Sequence, residues 1–471
     1  MKYFILIYLF VCNFTFSQEN DKINYKGSLV SIENVLQKYI QFPSVSGHEK
    51  EAGDFLKLLC EENNLIINDF GNENGQYNFS ASIFPLSANK PNIIFLNHID
   101  VVPENDTFHL KPYSGEIIEN KIYGRGAIDN KGVAMMQLYS IIRYLNSVSE
   151  IEDYYNVTFL AVSCEETQCD GGIKYVIDNY LDLLNPIVVI GEGPSELTAL
   201  INGNYRKPIF GISVAHKRTL WLNLELEINT IGHGAITPLQ YANKEMINAL
   251  DNLLKKKNKV RFNDLNISFL KALGDQNKGG IRTILRHPKT FKTLLVSKLR
   301  KQPELLSLFS NTITLTDIYT DNESFNKIPS KINAHLDCRL LPSTPEDEFL
   351  AEIKKKLKND DIKIRIVSNM PETKPSSIDN IYYKNLEKAI QEKYSNAAII
   401  PILLPNINDL GAFRAKGILS YACIPVNFTK EQVRSIHNDN ENISIPLLYD
   451  GADVYFKFLN NMESSSNKKS D

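Results

Sequence analysis

Three apolar runs, at 92–97, 157–163 and 186–190, each end in groups that bind cations or move protons. His98 and Asp100 follow the first, Glu165 and Glu166 the second, and Glu192 the third. Carboxylates that converge without positive partners repel one another, so the set calls for a cation. His98 and Asp100 stand two apart, and on an extended chain such side chains share a face. A metal-bound histidine usually gives its other ring N–H to a carboxylate, and Asp100 suits that role. Glu165 and Glu166 are adjacent beyond a strand and aim in different directions. One can therefore bind metal while the other stays free. Asp129 sits in a glycine-bearing turn, 124–132, just before a helical stretch. The spacing there is not that of a phosphate-cradling loop.

The elements that must position these groups are legible in the same pattern. The three runs lack polar alternation, the mark of central strands covered on both faces. Helical periodicity lies between them at 133–145 and 173–184, and earlier over 31–63 with a break at the 43–47 turn. Strand, helix and strand in that order predict a mostly parallel α/β sheet whose carboxyl ends face the ligand crevice. From 207 to 336 the pattern changes. Alternating pieces at 220–228 and 330–336, a helix at 241–254 and a lysine-rich irregular middle predict a small α+β domain with an antiparallel sheet. Helices at 346–357, 382–394 and 449–461 and strands at 362–367 and 398–402 then resume the first pattern. The expected organisation is a discontinuous catalytic domain, 18–206 and 337–463, interrupted by an inserted domain, 207–336. The polar tail 464–471 is expected to be disordered.

Composition narrows the function. The 471 residues carry 52 Lys+Arg against 55 Asp+Glu, a net charge of −3, with both signs interspersed. Phosphate backbones need clustered positive charge, so a nucleic-acid binder is excluded. Residues 1–17 open with Lys2, run through an apolar stretch and end with small residues at Thr15 and Ser17. This reads as a secretory signal, too short to span a bilayer. The protein is thus expected to be exported, periplasmic or secreted. A lipid anchor on Cys12 is the less favoured variant, because bulky Val11 precedes it. No later stretch is apolar enough to span a membrane. Removing the signal leaves five of six cysteines, at 60, 164, 169, 338 and 423, without a CxxC pair. They read as buried small hydrophobes rather than bridges or zinc ligands.

Ordered segments carry a resemblance. They are 97–103 (Asn-His-Ile-Asp-Val-Val-Pro), 111–115 (Lys-Pro-Tyr-Ser-Gly), 122–132 (Ile-Tyr-Gly-Arg-Gly-Ala-Ile-Asp-Asn-Lys-Gly), 163–166 (Ser-Cys-Glu-Glu), 231–235 (Ile-Gly-His-Gly-Ala) and 336–342 (Leu-Asp-Cys-Arg-Leu-Leu-Pro). Together they closely resemble the M20 family of metallopeptidases, which includes glutamate carboxypeptidase, aminoacylase and succinyl-diaminopimelate desuccinylase. The resemblance implies a site for two Zn2+ ions, with Co2+ or Mn2+ as substitutes. Asp129 looks like the bridging carboxylate. His98 and Glu192 would complete one site, and Glu166 and His437 the other. Glu165 looks like the general base and Asp100 like the carboxylate orienting His98. His233 would reach the active site of a homodimer partner through the inserted domain and stabilise an oxyanion. Arg339 would hold the free carboxylate of a small peptide or N-acyl amino acid. Asn97, Phe108 and Asn120 stand where the family usually has Gly, Trp and Gly; none of these departures removes a ligand.

Blander readings exist for single residues. His48, His109, His216, His287 and His335 have no partner logic. Glu192 could cap a turn, Arg339 could pair with Asp337 or Glu346, and Asp409, near Arg414, could cap a helix start. His437 has a weak local signal. A catalytically inert peptide-binding or scaffold relative is the alternative function, although such a chain tends to lose a ligand or the base. A serine hydrolase lacks its Gly-x-Ser-x-Gly elbow, and Cys164 has no evident activating histidine.

Overall fold

The strand Asn92–His98 and its neighbour Asn156–Val162 are buried at every residue, as their unbroken apolar character requires. In this computed structural model, which describes residues 22–71, 76–104, 110–147, 154–198, 207–230, 232–322, 324–342 and 344–467, they lie inside an eight-stranded sheet. Across the sheet the order is Ala398–Leu404, Ile209–His216, Leu419–Ala422, Pro186–Gly191, Asn92–His98, Asn156–Val162, Phe79–Ser82, Ile66–Asp69. The four central strands, from Leu419–Ala422 to Asn156–Val162, run parallel, and antiparallel pairs flank them. The expected helices are present as Ile32–Ile40, Lys50–Glu62, Lys131–Ser147 and Ile173–Leu184.

The chain divides into two compact units, and the smaller comprises Ala215–Pro375 and Ile402–Ile407. Its four-stranded antiparallel sheet has the order Thr312–Tyr319, Lys331–Leu340, Arg218–Glu227, Lys363–Asn369. Alternate residues Leu220, Leu222, Leu224 and Leu226 pack with Leu336, Met246, Leu250, Phe349 and Ile353 in one core. The compact unit therefore differs from the span 207–336 expected from sequence. A break at 337 falls inside the strand Lys331–Leu340, which pairs with Arg218–Glu227 along its whole length. The strand expected at 362–367 for the catalytic part instead completes this sheet.

Two further expectations are corrected. The lysine-rich middle is helical, with Asp264–Gln276, Gly279–Arg286, Lys292–Leu299 and Pro303–Ser307. A capping box at Asn263 and buried Ile267, Leu270 and Leu273 explain the first of these. The tail expected to be disordered from 464 is helical to Asn467, where the Ser465 hydroxyl accepts a bond of 3.1 Å from Asn385. The signal segment, Cys12, Phe108 and His109 lie outside the described residues. No helix among the described residues is long and apolar enough to cross a membrane.

Candidate metal centre

The carboxyl ends of the parallel strands supply three of the five predicted ligands, His98, Glu166 and Glu192, and the turns at Asp129 and His437 supply the other two. His98 closes its strand, Glu192 directly follows Gly191, and Glu165 and Glu166 lie three and four residues past Val162. His98 Nε2 lies 3.1 Å from Asp129 Oδ1 and 3.4 Å from Glu192 Oε2. His437 Nε2 lies 3.1 Å from Asp129 Oδ2 and 3.1 Å from Glu166 Oε1. The two oxygens of Asp129 thus belong to two triads, His98–Asp129–Glu192 and Asp129–Glu166–His437. Within each, the ligand atoms fall within 4.8 Å of one another. Each triad has one imidazole and two carboxylates, a donor set suited to a divalent metal of the zinc, cobalt or manganese kind.

The surrounding hydrogen bonds fix this geometry. His98 Nδ1 lies 2.9 Å from the Asp100 backbone carbonyl, and the Asp100 carboxylate is farther, at 3.4 Å. Donation to that carbonyl leaves Nε2 free as the ligand atom. The Asp100 carboxylate instead accepts from the backbone amides of Glu165 at 3.0 Å and Glu166 at 3.1 Å, and from the Ser46 hydroxyl at 2.6 Å. Two of its bonds therefore fix the backbone at Glu165 and Glu166.

Glu441 is the residue that sequence reasoning missed. Its carboxylate accepts from the amides of Gly126, Ile128 and Asp129 at 2.9–3.1 Å, and it pairs with Arg125 at 3.2 Å with both side chains fully buried. It ties down the turn that carries Asp129. The small sheet of Glu116–Ile118, Lys121–Tyr123 and Asn442–Ser444 brings Glu441 there. Asn120, with φ 63°, adopts the left-handed conformation that a glycine usually supplies in this sheet's first turn. Asn97 is buried and donates to Gln137 Oε1 at 2.8 Å, while its own Oδ1 is buried without a hydrogen-bond partner.

Burial works against a charged His98, but Asp100, Asp129 and Glu192 outweigh it and hold its pKa well above the ordinary value. Bonds to Asp129 and Glu166 push His437 up to about 10. Burial, then Asp129, raises Glu192 to about 7, and burial raises Asp409 to about 8. All four groups hold protons in the fold that the unfolded chain releases at lower pH. At these four groups the metal-free fold binds more protons than the unfolded chain, and their contribution to stability falls as pH rises through these values. Thermal unfolding of metal-free protein should show a lower midpoint at pH 9 than at pH 6. Divalent metal should remove most of that difference, because a cation takes over the protons' task. An equal or higher midpoint at pH 9 contradicts the proton-held site.

Glu165 lines a cavity with His98, Glu192, Asn130, Asn408 and Asp409. Burial, with Glu192 nearby, raises its carboxyl well above the usual range. Asp409 makes no side-chain cap on the helix Leu410–Ala415, and its Oδ2 is buried without a hydrogen-bond partner. Arg414 is buried and donates to the backbone carbonyls of Ser213 and Ser420, a structural role. His233 and Arg339 belong to the other compact unit. There the His233 Nδ1 accepts from the Ala235 amide at 3.1 Å. Arg339 is held by both Asp337 oxygens, at 2.8 and 3.0 Å, and by Thr219 at 2.7 Å.

The expectation for the cysteines is corrected in part. Cys60, Cys338 and Cys423 are buried and free, but Cys164 and Cys169 form a disulfide, with Cα atoms 5.7 Å apart. The tight loop after the strand folds one sulfur onto the other, which no CxxC spacing announced. A ring this short constrains the unfolded chain by only about 2 kcal/mol.

A parallel sheet with two carboxylate–histidine triads at its carboxyl edge defines a dinuclear metallohydrolase. The chain belongs to peptidase family M20/M25/M40, whose model matches residues 94–461. It is 22% identical to the human N-fatty-acyl-amino acid synthase/hydrolase PM20D1 over 459 residues, 93% of this chain and 89% of that protein. Two solved structures share the fold. An M20 family metallo-carboxypeptidase from Sulfolobus solfataricus has a TM-score of 0.70 at 22% identity, covering 92% of this chain and 100% of that one. A Bacillus subtilis dinuclear metal binding peptidase of the M20 family has a TM-score of 0.53 at 14% identity, covering 92% and 97%.

Proposed function

We propose that the protein is an exported, zinc-dependent exopeptidase or N-acyl amino acid hydrolase. It cleaves an amide bond next to an amino acid with a free carboxylate. The observation that carries this reading is the division of the Asp129 oxygens between two triads, with Glu165 lining a cavity beside His98 and Glu192 of the first triad. Two divalent cations, when bound, supply Lewis acidity that acidifies water and polarises the scissile carbonyl. His98, Asp129 and Glu192 would hold one, and Asp129, Glu166 and His437 the other.

Glu165 takes the proton of the attacking water and delivers it to the leaving amine. Asp100 keeps Glu165 and Glu166 at their stations. His233, presented by a second copy in a homodimer, donates to the developing oxyanion. Arg339, its guanidinium oriented by Asp337 and Thr219, receives the substrate carboxylate. The relatives named as a carboxypeptidase and an N-fatty-acyl-amino acid hydrolase both act next to an amino acid carboxylate, which supports this substrate class. The leader at 1–17 and the Cys164–Cys169 bridge fit an oxidising, extracytoplasmic compartment. The same bridge removes Cys164 as a nucleophile, and an inert scaffold has no reason to keep the base and all five ligands.

The test uses mature protein stripped with a strong chelator, then supplied with zinc, cobalt or manganese. Each preparation is assayed on dipeptides and on short- and long-chain N-acyl amino acids. Release of free amino acid should vanish on stripping and return with two equivalents of metal. Turnover that persists in thoroughly metal-free protein contradicts the reading.

A further inference from the structure

The disulfide closes a six-residue ring from Cys164 to Cys169, and that ring contains both Glu165 and Glu166. Three anchors hold it. Asn78 joins its flanks, accepting from the Ser163 amide at 3.0 Å and donating to the Gly171 carbonyl at 2.8 Å. Asp100 takes the amides of Glu165 and Glu166. The third anchor is the sulfur bridge, from buried Cys164 to half-buried Cys169. Cys164 and Gln168 have φ of 52° and 54°, left-handed conformations that side-chain-bearing residues rarely adopt unless the surroundings impose them.

The two glutamates depend on the ring unequally. Glu166 would be held from its far end by metal beside His437 and Asp129. The Glu165 carboxylate accepts a long bond of 3.4 Å from Gln168, which is itself part of the ring. Backbone geometry therefore sets where the base points.

We propose that the Cys164–Cys169 disulfide is a positioning element for the hydrolysis: it fixes the backbone from which Glu165 works, so turnover depends on the oxidised pair while metal binding does not. This rests on the hydrolase reading above. Cutting the bridge needs a reductant. A phosphine attacks one sulfur and is oxidised to the phosphine oxide with oxygen from water, leaving two thiols.

The experiment compares zinc-loaded oxidised protein with the same protein reduced by a phosphine, and with the double variant Cys164→Ser, Cys169→Ser. Zinc per chain, kcat, KM and amide hydrogen exchange at 165–168 are measured on each. Loss of the bridge should lower kcat about tenfold or more, since small displacements of a reacting group cost that much. KM and the two zinc ions should persist, exchange at 165–168 should quicken, and reoxidation should restore kcat. The proposal is overturned if reduced protein turns over within about twofold of oxidised protein, or if activity falls only in step with lost zinc. Unchanged exchange at 165–168 also overturns it. Should the oxidised, zinc-loaded protein hydrolyse no substrate at all, the hydrolase reading falls, and exchange alone decides the role of the bridge.

Discussion

The Glu165→Gln variant keeps two metal ions per chain and loses about 10²–10⁴-fold in kcat. Glu165 belongs to neither triad, so its carboxylate charge is not needed to hold a cation. It lines the cavity beside His98 and Glu192, and burial with Glu192 nearby raises its affinity for a proton. That is the property a base needs if it is to take a proton from water and surrender it to an amine. Glutamine keeps the shape and removes the basicity. Metal analysis and steady-state kinetics on the same preparation separate the outcomes. Normal turnover removes Glu165 from the base role. Loss of metal together with activity means that its charge supports the ligands instead.

A larger effect on stability is expected from Glu441→Gln. The Glu441–Arg125 pair is fully buried, and Glu441 also accepts three amides of the turn around Asp129. Removing one charge breaks a fully buried ion pair, which typically costs about 3–5 kcal/mol. Asp129 would also lose part of its support, and groups that orient metal ligands commonly carry about 10–100-fold in metal affinity. Denaturant unfolding of metal-free protein measures the first effect, and zinc titration the second. A variant within about 1 kcal/mol of the parent, with unchanged zinc affinity, shows that the turn is held by something other than Glu441.

The central strands and the residues at their ends were legible because both signals are local. Unbroken apolar runs specify covered strands, and a group just beyond such a run must lie at the carboxyl edge. His437 had only a weak local signal and came mainly through family resemblance and the lack of a better late histidine; its left-handed backbone, φ 60°, gives it no strand or helix to announce it. Glu441 was hidden for a different reason. It acts on an amide 312 residues earlier, and no spacing rule spans that separation. The extent of the smaller unit was misjudged on similar grounds. The strand near 362–367 was placed in the catalytic part, but its partner, Arg218–Glu227, is set by tertiary pairing. The Cys164–Cys169 bridge was missed because loop conformation, not cysteine spacing, brings the sulfurs together.

Anomalous diffraction at the zinc edge, from crystals of zinc-loaded protein, tests the shared role of Asp129 most directly. Two peaks about 3.5–4 Å apart are expected, one among His98, Asp129 and Glu192 and the other among Asp129, Glu166 and His437. A single peak, or two peaks with Asp129 touching only one, contradicts a two-metal centre built on that carboxylate.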